Sequence, residues 1–247
     1  MAELPADHPL WGPEGLAQLR DRLDAISTVG PRSAAMVDVA SRTRALIEAL
    51  TSTTASADAI AEVADLVAKA VGLLAAEGSG RAYTGPAEAS LAAGETSALD
   101  PDDPDRPGFL HFSPLFGRAN PLAPPLEPKL EGEHVTAEAV FGSAYEGPPG
   151  CLHGGFIAAA FDEVLGLVQA LTGQPGMTGR LEVKYRNPTP LHAPLMFRAW
   201  VERVEGRKIL TRATCSADGV LTAEAEGLFI TIDESKFGSL LQRRTTH

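Results

Sequence analysis

The sequence predicts an α+β domain in which an antiparallel sheet wraps around one central helix, preceded by a helical N-terminal extension. Three observations carry this expectation. Segments 180–187, 195–204, 208–216 and 220–232 read as consecutive strands, with Glu205-Gly206 and Asp218-Gly219 at hairpin positions. The stretch from Phe156 to Leu171 has helical length and is apolar almost all round, so such a helix must be buried on most sides. Helical spacing otherwise dominates residues 14–78, where Leu16, Leu19, Leu23 and Ile26 recur three and four residues apart.

The elements follow in order. Met36, Val39, Leu46, Ile47 and Leu50 continue the helical theme, then Ile60, Val63, Leu66, Val67, Val71 and Leu74. Gly30-Pro31 and residues 51–57 supply the breaks. Residues 79–105 are rich in Gly, Ser and Asp, and residues 101–128 hold eight prolines, a density that excludes regular helix and central strand. Phe109, Leu110, Phe112, Leu115 and Phe116 lie inside that segment, so part of it should pack on the following domain. From about residue 126 the period changes: Val135, Ala137, Ala139 and Phe141 alternate as in a strand. The expected organisation is a helical extension at 1–100, a Pro-rich linker or wrapped segment at 101–128, the helix-and-sheet domain at 118–233 and a tail at 234–247.

Composition narrows the chemistry. The 247 residues carry a net charge of −11, which argues against nucleic acid as a partner, because such binding rests on neutralising phosphates. The acidic start, Met1-Ala2-Glu3-Leu4, does not read as a signal peptide, and no apolar run is expected to approach the ~18–20 residues of a membrane span. Cys151 and Cys215 make neither a disulfide framework nor a zinc site by themselves, and no metal-ligand spacing appears. A reducing, cytoplasmic setting is the expectation.

Charge is unevenly spread. Residues 1–117 hold 8 Lys and Arg against 17 Asp and Glu, while residues 180–212 hold eight basic groups facing only Glu182, Glu202 and Glu205. Such a cluster either attracts an anionic small molecule or forms a solvated sheet face. Asp162 and Glu163 interrupt the apolar helix, where a carboxylate is costly unless paired, hydrogen-bonded or protonated. Some 100° of helix separates them, so one should meet a cleft and the other solvent or an ion pair. Cys151 is expected to be a buried structural cysteine.

His153-Gly154-Gly155, with an acid nine residues after the histidine, resembles the hotdog-fold acyl-CoA thioesterases, in particular the phenylacetate-degradation type and the thioesterase superfamily members with N-terminal extensions. Thr178, Lys184-Tyr185-Arg186-Asn187-Pro188 and Glu205-Gly206-Arg207-Lys208 match at the expected spacing. The resemblance covers roughly residues 118–233.

That resemblance implies roles. The helix N-terminus, with unpaired N–H groups and the positive end of its dipole, would meet the thioester carbonyl, Gly155 N–H being the main oxyanion donor. His153 would orient the turn, and Thr178 would help place the water. Asp162 from the other subunit of a dimer would be general base or nucleophile. Gly154, Lys184, Arg186, Arg207 and Lys208 would touch coenzyme A. Glu163, offset by one from the family acid, is expected at a surface or in an ion pair, and Tyr185 in the core. Phe156, Phe161, Met177 and Trp200 are candidates to line an acyl pocket. The implied activity is hydrolysis of acyl-CoA to free acid and coenzyme A, without metal or other cofactor, in a homodimer or dimer of dimers. The competing readings are a non-catalytic acyl-CoA-binding module whose N-terminal helices mediate protein interaction, and a hydratase or dehydratase, whose catalytic arrangement is not found here.

Overall fold

Backbone pairing joins six strands into one antiparallel sheet in the order β1-β2-β4-β5-β6-β3: β1 (Glu127–Glu131), β2 (His134–Val140), β3 (Gly176–Tyr185), β4 (Pro194–Glu205), β5 (Lys208–Ala217) and β6 (Val220–Thr231). The computed structural model describes residues 30–77, 110–174 and 176–231. β4, β5 and β6 follow one another through tight turns in which Gly206, Asp218 and Gly219 take positive φ, a conformation cheap for glycine and tolerated by aspartate. Between β2 and β3 the chain diverts into the central helix, so β3 joins the sheet at the far side, next to β6.

Alternation decides what fills the sheet. Val135 and Ala137 of β2, Phe197 and Ala199 of β4, Ala213 and Cys215 of β5, and Ala225 of β6 point inward and are buried. The helix Gly154–Gln169 lies against that face and touches β2 through β6. Ile157, Phe161, Val164, Leu165 and Val168 form its buried side. Gly227 gives the helix room on β6: a Cβ there would stand 3.2 Å from Leu165 Cδ1 of the helix and 2.7 Å from Thr211 Oγ1 of the neighbouring strand. Gly154–Thr172 is 19 residues long with mean hydropathy 1.4, enough by length and composition to cross a membrane, contrary to the sequence expectation; half of it is buried inside the fold. Phe161 is fully buried and its ring stands edge-on to Phe197 at 5.6 Å. Phe161→Ala is expected to cost about 3–5 kcal/mol, read as a lowered urea midpoint; a loss below about 1 kcal/mol would mean that the ring does not hold helix to sheet.

The Pro-rich stretch packs where it is described. Leu110, Leu115, Phe116, Ala119, Ala123 and Leu126 are buried and join the core. β1, which sequence reading did not single out, contains Pro128 and sits at the sheet edge, where a missing N–H costs no ladder bond.

Among the described residues, two helices precede the sheet. Pro31 opens α1 (Pro31–Ser52), which has only Ser33 and Ala40 buried and is tied down by polar bonds. Arg44 donates to the carbonyls of Asn120 (2.9 Å) and Arg118 (3.2 Å), and Glu48 accepts from the Ser143 N–H at 3.2 Å. Residues 53–56 break the helix, and the Ser56 hydroxyl caps α2 (Ala57–Ala76) by accepting from Ala59 N–H. No residue of α2 is buried. With these in place the central helix Gly154–Gln169 is α3. The helical pattern Leu16–Ile26, residues 79–105 and the tail 234–247 lie outside the described residues.

Candidate active site

The start of α3 is held from several sides. His153 is its N-cap, and its Nδ1 accepts from Gly155 N–H at 3.0 Å, which places the neutral ring's proton on Nε2. The His153 N–H donates to Tyr145 O (2.9 Å) and the Leu152 N–H to Thr189 O (2.8 Å), pinning both ends of the turn. Gly147 passes so close that a Cβ there would stand 2.8 Å from His153 Cα. The Phe156 and Ile157 N–H groups both go to His153 O. Gly155, the expected oxyanion donor, is exposed, but its N–H is engaged by the neighbouring ring and is released only when that ring swings away.

Tyr185 corrects the sequence reading. It is 54% exposed rather than core, because β3 ends beside the helix start: its hydroxyl donates to Gly154 O at 2.9 Å. A Cβ on Gly154 would meet that hydroxyl oxygen at 3.2 Å, so Gly154 is the small residue that lets the ring lie across the turn.

Asp162 lies on the open side of α3, half-buried, and its Oδ1 accepts from the Thr178 hydroxyl at 2.9 Å. The register of β3 against β6 shifts between Thr178 and Arg180, so Gly179 is the extra residue of a bulge that re-aims Thr178 toward the helix. Sequence thus brings Asp162 and Thr178 together. Gly155 is seven residues away, about 10 Å along the helix axis, too far for one substrate carbonyl to touch both groups of a single chain.

Glu163 is part-buried rather than a surface group, and among the described residues it has no ion-pair partner. It lies beneath residues 110–126, with Oε1 accepting from the Ser113 hydroxyl at 3.1 Å. Burial pushes its pKa up to about 7, opposed by that hydrogen bond and assisted by the negative charge of Asp162. Ser113 Oγ also accepts from the Leu115 and Phe116 N–H groups, so one hydroxyl links the carboxyl to the fold of the covering segment. Neither Ser113 nor that link is legible in sequence, since the pair is fifty residues apart.

The basic cluster divides. The register brings Glu224 and Glu226 of β6 onto the outer sheet face beside the strand cations. Lys184 Nζ is 3.5 Å from Glu182 and 3.7 Å from Glu226, Arg186 bonds Glu224, and Arg212 is 3.3 Å from Glu202. The local positive excess expected from residues 180–212 is therefore offset by carboxylates that a linear window misses. A groove of about 150 Å³ on that face is lined by three carboxylates (Glu182, Glu224, Glu226) and two cations (Lys184, Arg212). Arg207, at the β4–β5 turn, donates to Thr231 O at 2.9 Å, and Lys208 is exposed beside it.

The pocket candidates also separate. Phe161 belongs to the core, and Trp200 faces the outer groove, on the opposite side of the sheet from α3. Phe156 and Met177 are exposed. Cys151 is half-buried rather than buried, and Cys215 is buried on the inner sheet face, where burial pushes its thiol up to about 11; both are free thiols.

A sheet that wraps one helix, with a His-Gly-Gly start and a carboxylate two turns on, defines a hotdog domain. Residues 149–223 match the family model described as Thioesterase superfamily. Residues of this chain are 40% identical over 91 positions to acyl-coenzyme A thioesterase THEM4 of Xenopus laevis, covering 36% of this chain and 41% of that protein. THEM5 of Homo sapiens is 29% identical over 91 positions, covering 36% and 37%. The chain thus spans about two fifths of the length of the curated relatives it matches. A crystal structure of a thioesterase superfamily protein superimposes with a TM-score of 0.65 at 28% identity, covering 83% of this chain and 97% of the other.

Proposed function

We propose that this chain is an acyl-CoA thioesterase of the phenylacetate-degradation type. It hydrolyses an acyl-CoA to a free acid and coenzyme A in the cytoplasm, with no metal or other cofactor, as a homodimer or dimer of dimers. The observation that carries the reading is the Asp162 carboxylate, set in an otherwise apolar helix and oriented through Oδ1 by Thr178, with Oδ2 left to act. Relatives named acyl-coenzyme A thioesterases support it.

On this reading the residues of the site divide the steps among them. The carbonyl oxygen of the thioester docks at the start of α3, where the positive dipole end stabilises the oxyanion. His153 swings off Gly155 N–H to free that donor. Asp162 of a second copy meets the carbonyl carbon, because the Asp162 of the same chain lies too far along the helix. It acts as base, taking a proton from water as the water oxygen bonds to carbon, or as nucleophile, forming a mixed anhydride that water then opens. Either way the carbon–sulfur bond breaks and the coenzyme A thiolate leaves and is protonated. Thr178 orients the carboxylate and the water. Gly154 gives coenzyme A room at the turn, and Arg207 and Lys208 meet its phosphates. Lys184 and Arg186 join them only by leaving their glutamate partners.

The engagement of Gly155 N–H by His153 favours one other reading, a module that binds acyl-CoA without cleaving it. Free-thiol release from a panel of short, aromatic and long acyl-CoAs separates the two. Turnover of one acyl class is expected; binding of several without release of thiol would transfer the assignment to the binding module.

A further inference from the structure

The helix α2 is amphipathic and uncovered. Asp58, Glu62, Asp65 and Lys69 fall within an arc of about 60° at 100° per residue, while Ile60, Val63, Val67, Val71 and Leu74 fall within an arc of about 80° on the opposite side, with Leu66 on its flank. Leu66, Val71 and Leu74 are each more than 60% exposed. An isolated helix of this length is marginal in water, and among the described residues none of its side chains is buried. Six aliphatic side chains, each offering on the order of 100 Å², make a patch of roughly 600 Å², the upper end of what monomers leave open.

The pattern on that face is self-complementary. Ile60 and Leu74 lie equally far from Val67 on either side, as do Val63 and Val71. A two-fold interface requires that residue i meet j while j meets i, and antiparallel pairing centred on Val67 satisfies this with Ile60 on Leu74, Val63 on Val71 and Val67 on itself. No charge lies on the buried side. Antiparallel pairing also opposes the helix dipoles, and the charged arc of each helix, Asp58, Glu62, Asp65 and Lys69, stays on the outer, solvent side of the pair. Two such faces bury roughly 1,200 Å², the lower bound of a specific interface. A lipid surface fits less well, because the polar side is acidic where anionic membranes select lysine and arginine.

We infer that the apolar face of α2 is a self-association surface on which α2 of a second copy packs antiparallel about a two-fold axis at Val67. It uses no residue of the proposed active site, and so stands whether or not the chain is a thioesterase.

The test is disulfide trapping in the full chain, in a Cys151→Ser background. Val67→Cys is expected to give a linked dimer on mild oxidation at a rate at least tenfold above Ala61→Cys, which lies on the other side of the helix. Equal rates, or no linked Val67→Cys dimer, would overturn the inference. An intramolecular disulfide between Val67→Cys and Leu19→Cys in place of the linked dimer would also overturn it, assigning the face to residues 14–29 of the same chain. As a second reading, Val67→Asp with Val71→Asp is expected to halve the mass of the assembly measured by sedimentation and leave thiol release, where present, within twofold. An unchanged mass would count against the surface as firmly as failed trapping.

Discussion

If the chain is the proposed thioesterase, Asp162→Asn is expected to lower kcat for acyl-CoA hydrolysis by about 10²–10⁴-fold, the loss expected when a positioned proton acceptor or attacking carboxylate is removed, with KM changed little. The substitution is close to isosteric: the amide oxygen still accepts from the Thr178 hydroxyl, so β3 stays bonded to α3 as it does through Asp162 Oδ1. What disappears is the second oxygen's charge. Thiol release at saturating substrate, with binding measured separately by calorimetry, distinguishes lost chemistry from lost binding. A variant that keeps more than a tenth of its turnover would remove Asp162 from the reaction.

The same substitution tests where the site is. One chain separates Gly155 from Asp162 by about 10 Å along α3, so the oxyanion donor and the carboxylate must come from different copies if both act on one carbonyl. Gly155→Val blocks the helix start and Asp162→Asn blocks the carboxylate, and each homo-oligomer is expected to be inactive. Mixed at equal amounts after denaturation and refolding, they restore about a quarter of wild-type turnover, because half the dimers are mixed and each has one intact site of two. No recovery, with mixed dimers verified by mass, would place the reaction within a single chain.

How far the sequence revealed this arrangement depends on the range of the signal. The strands and α3 were legible because alternation and helical period are local, and the His153-Gly154-Gly155 start with Asp162 nine residues on is a local motif. Where pairing partners come from distant segments the reading failed. A linear window sets only Glu182, Glu202 and Glu205 against the eight basic groups, and the β3–β6 register adds Glu224 and Glu226 beside Arg186 and Lys184. Tyr185 was placed by alternation, but the sheet ends there and alternation no longer decides which side is covered. The bulge at Gly179 had a visible signal, a glycine inside a strand pattern, that marks a place where the strand re-aims a side chain. Glu163 was read from its offset to Asp162 alone, without the proline-rich segment that covers it.

That covering makes Glu163 a source of pH-dependent stability. With its pKa at about 7 in the folded chain against an ordinary 4.5, the folded state holds a proton that the unfolded state has released between those values. Stability therefore falls as pH rises through the window from about 4.5 to 7, and the full penalty, about 3 kcal/mol, is present above it. Glu163→Gln carries no charge at any pH and its amide oxygen still accepts from Ser113. Its unfolding free energy from urea titration is expected to match wild type near pH 4.5 and to exceed it by about 3 kcal/mol at pH 8. The negative charge of Asp162 is one cause of the raised value, so Asp162→Asn should lower the Glu163 pKa and flatten the same profile. The chain then spends stability at neutral pH to keep a second carboxyl beside the proposed catalytic one, and Ser113 ties that carboxyl's protonation to the seating of residues 110–126 over α3. Hydrogen exchange at Leu115 and Phe116, whose N–H groups donate to Ser113 Oγ, should quicken between pH 6 and 8 in wild type, beyond the ordinary base-catalysed rise, and not in Glu163→Gln. Parallel profiles in the two proteins would show that Glu163 stays ionised in the folded state and that the segment is seated without regard to its charge.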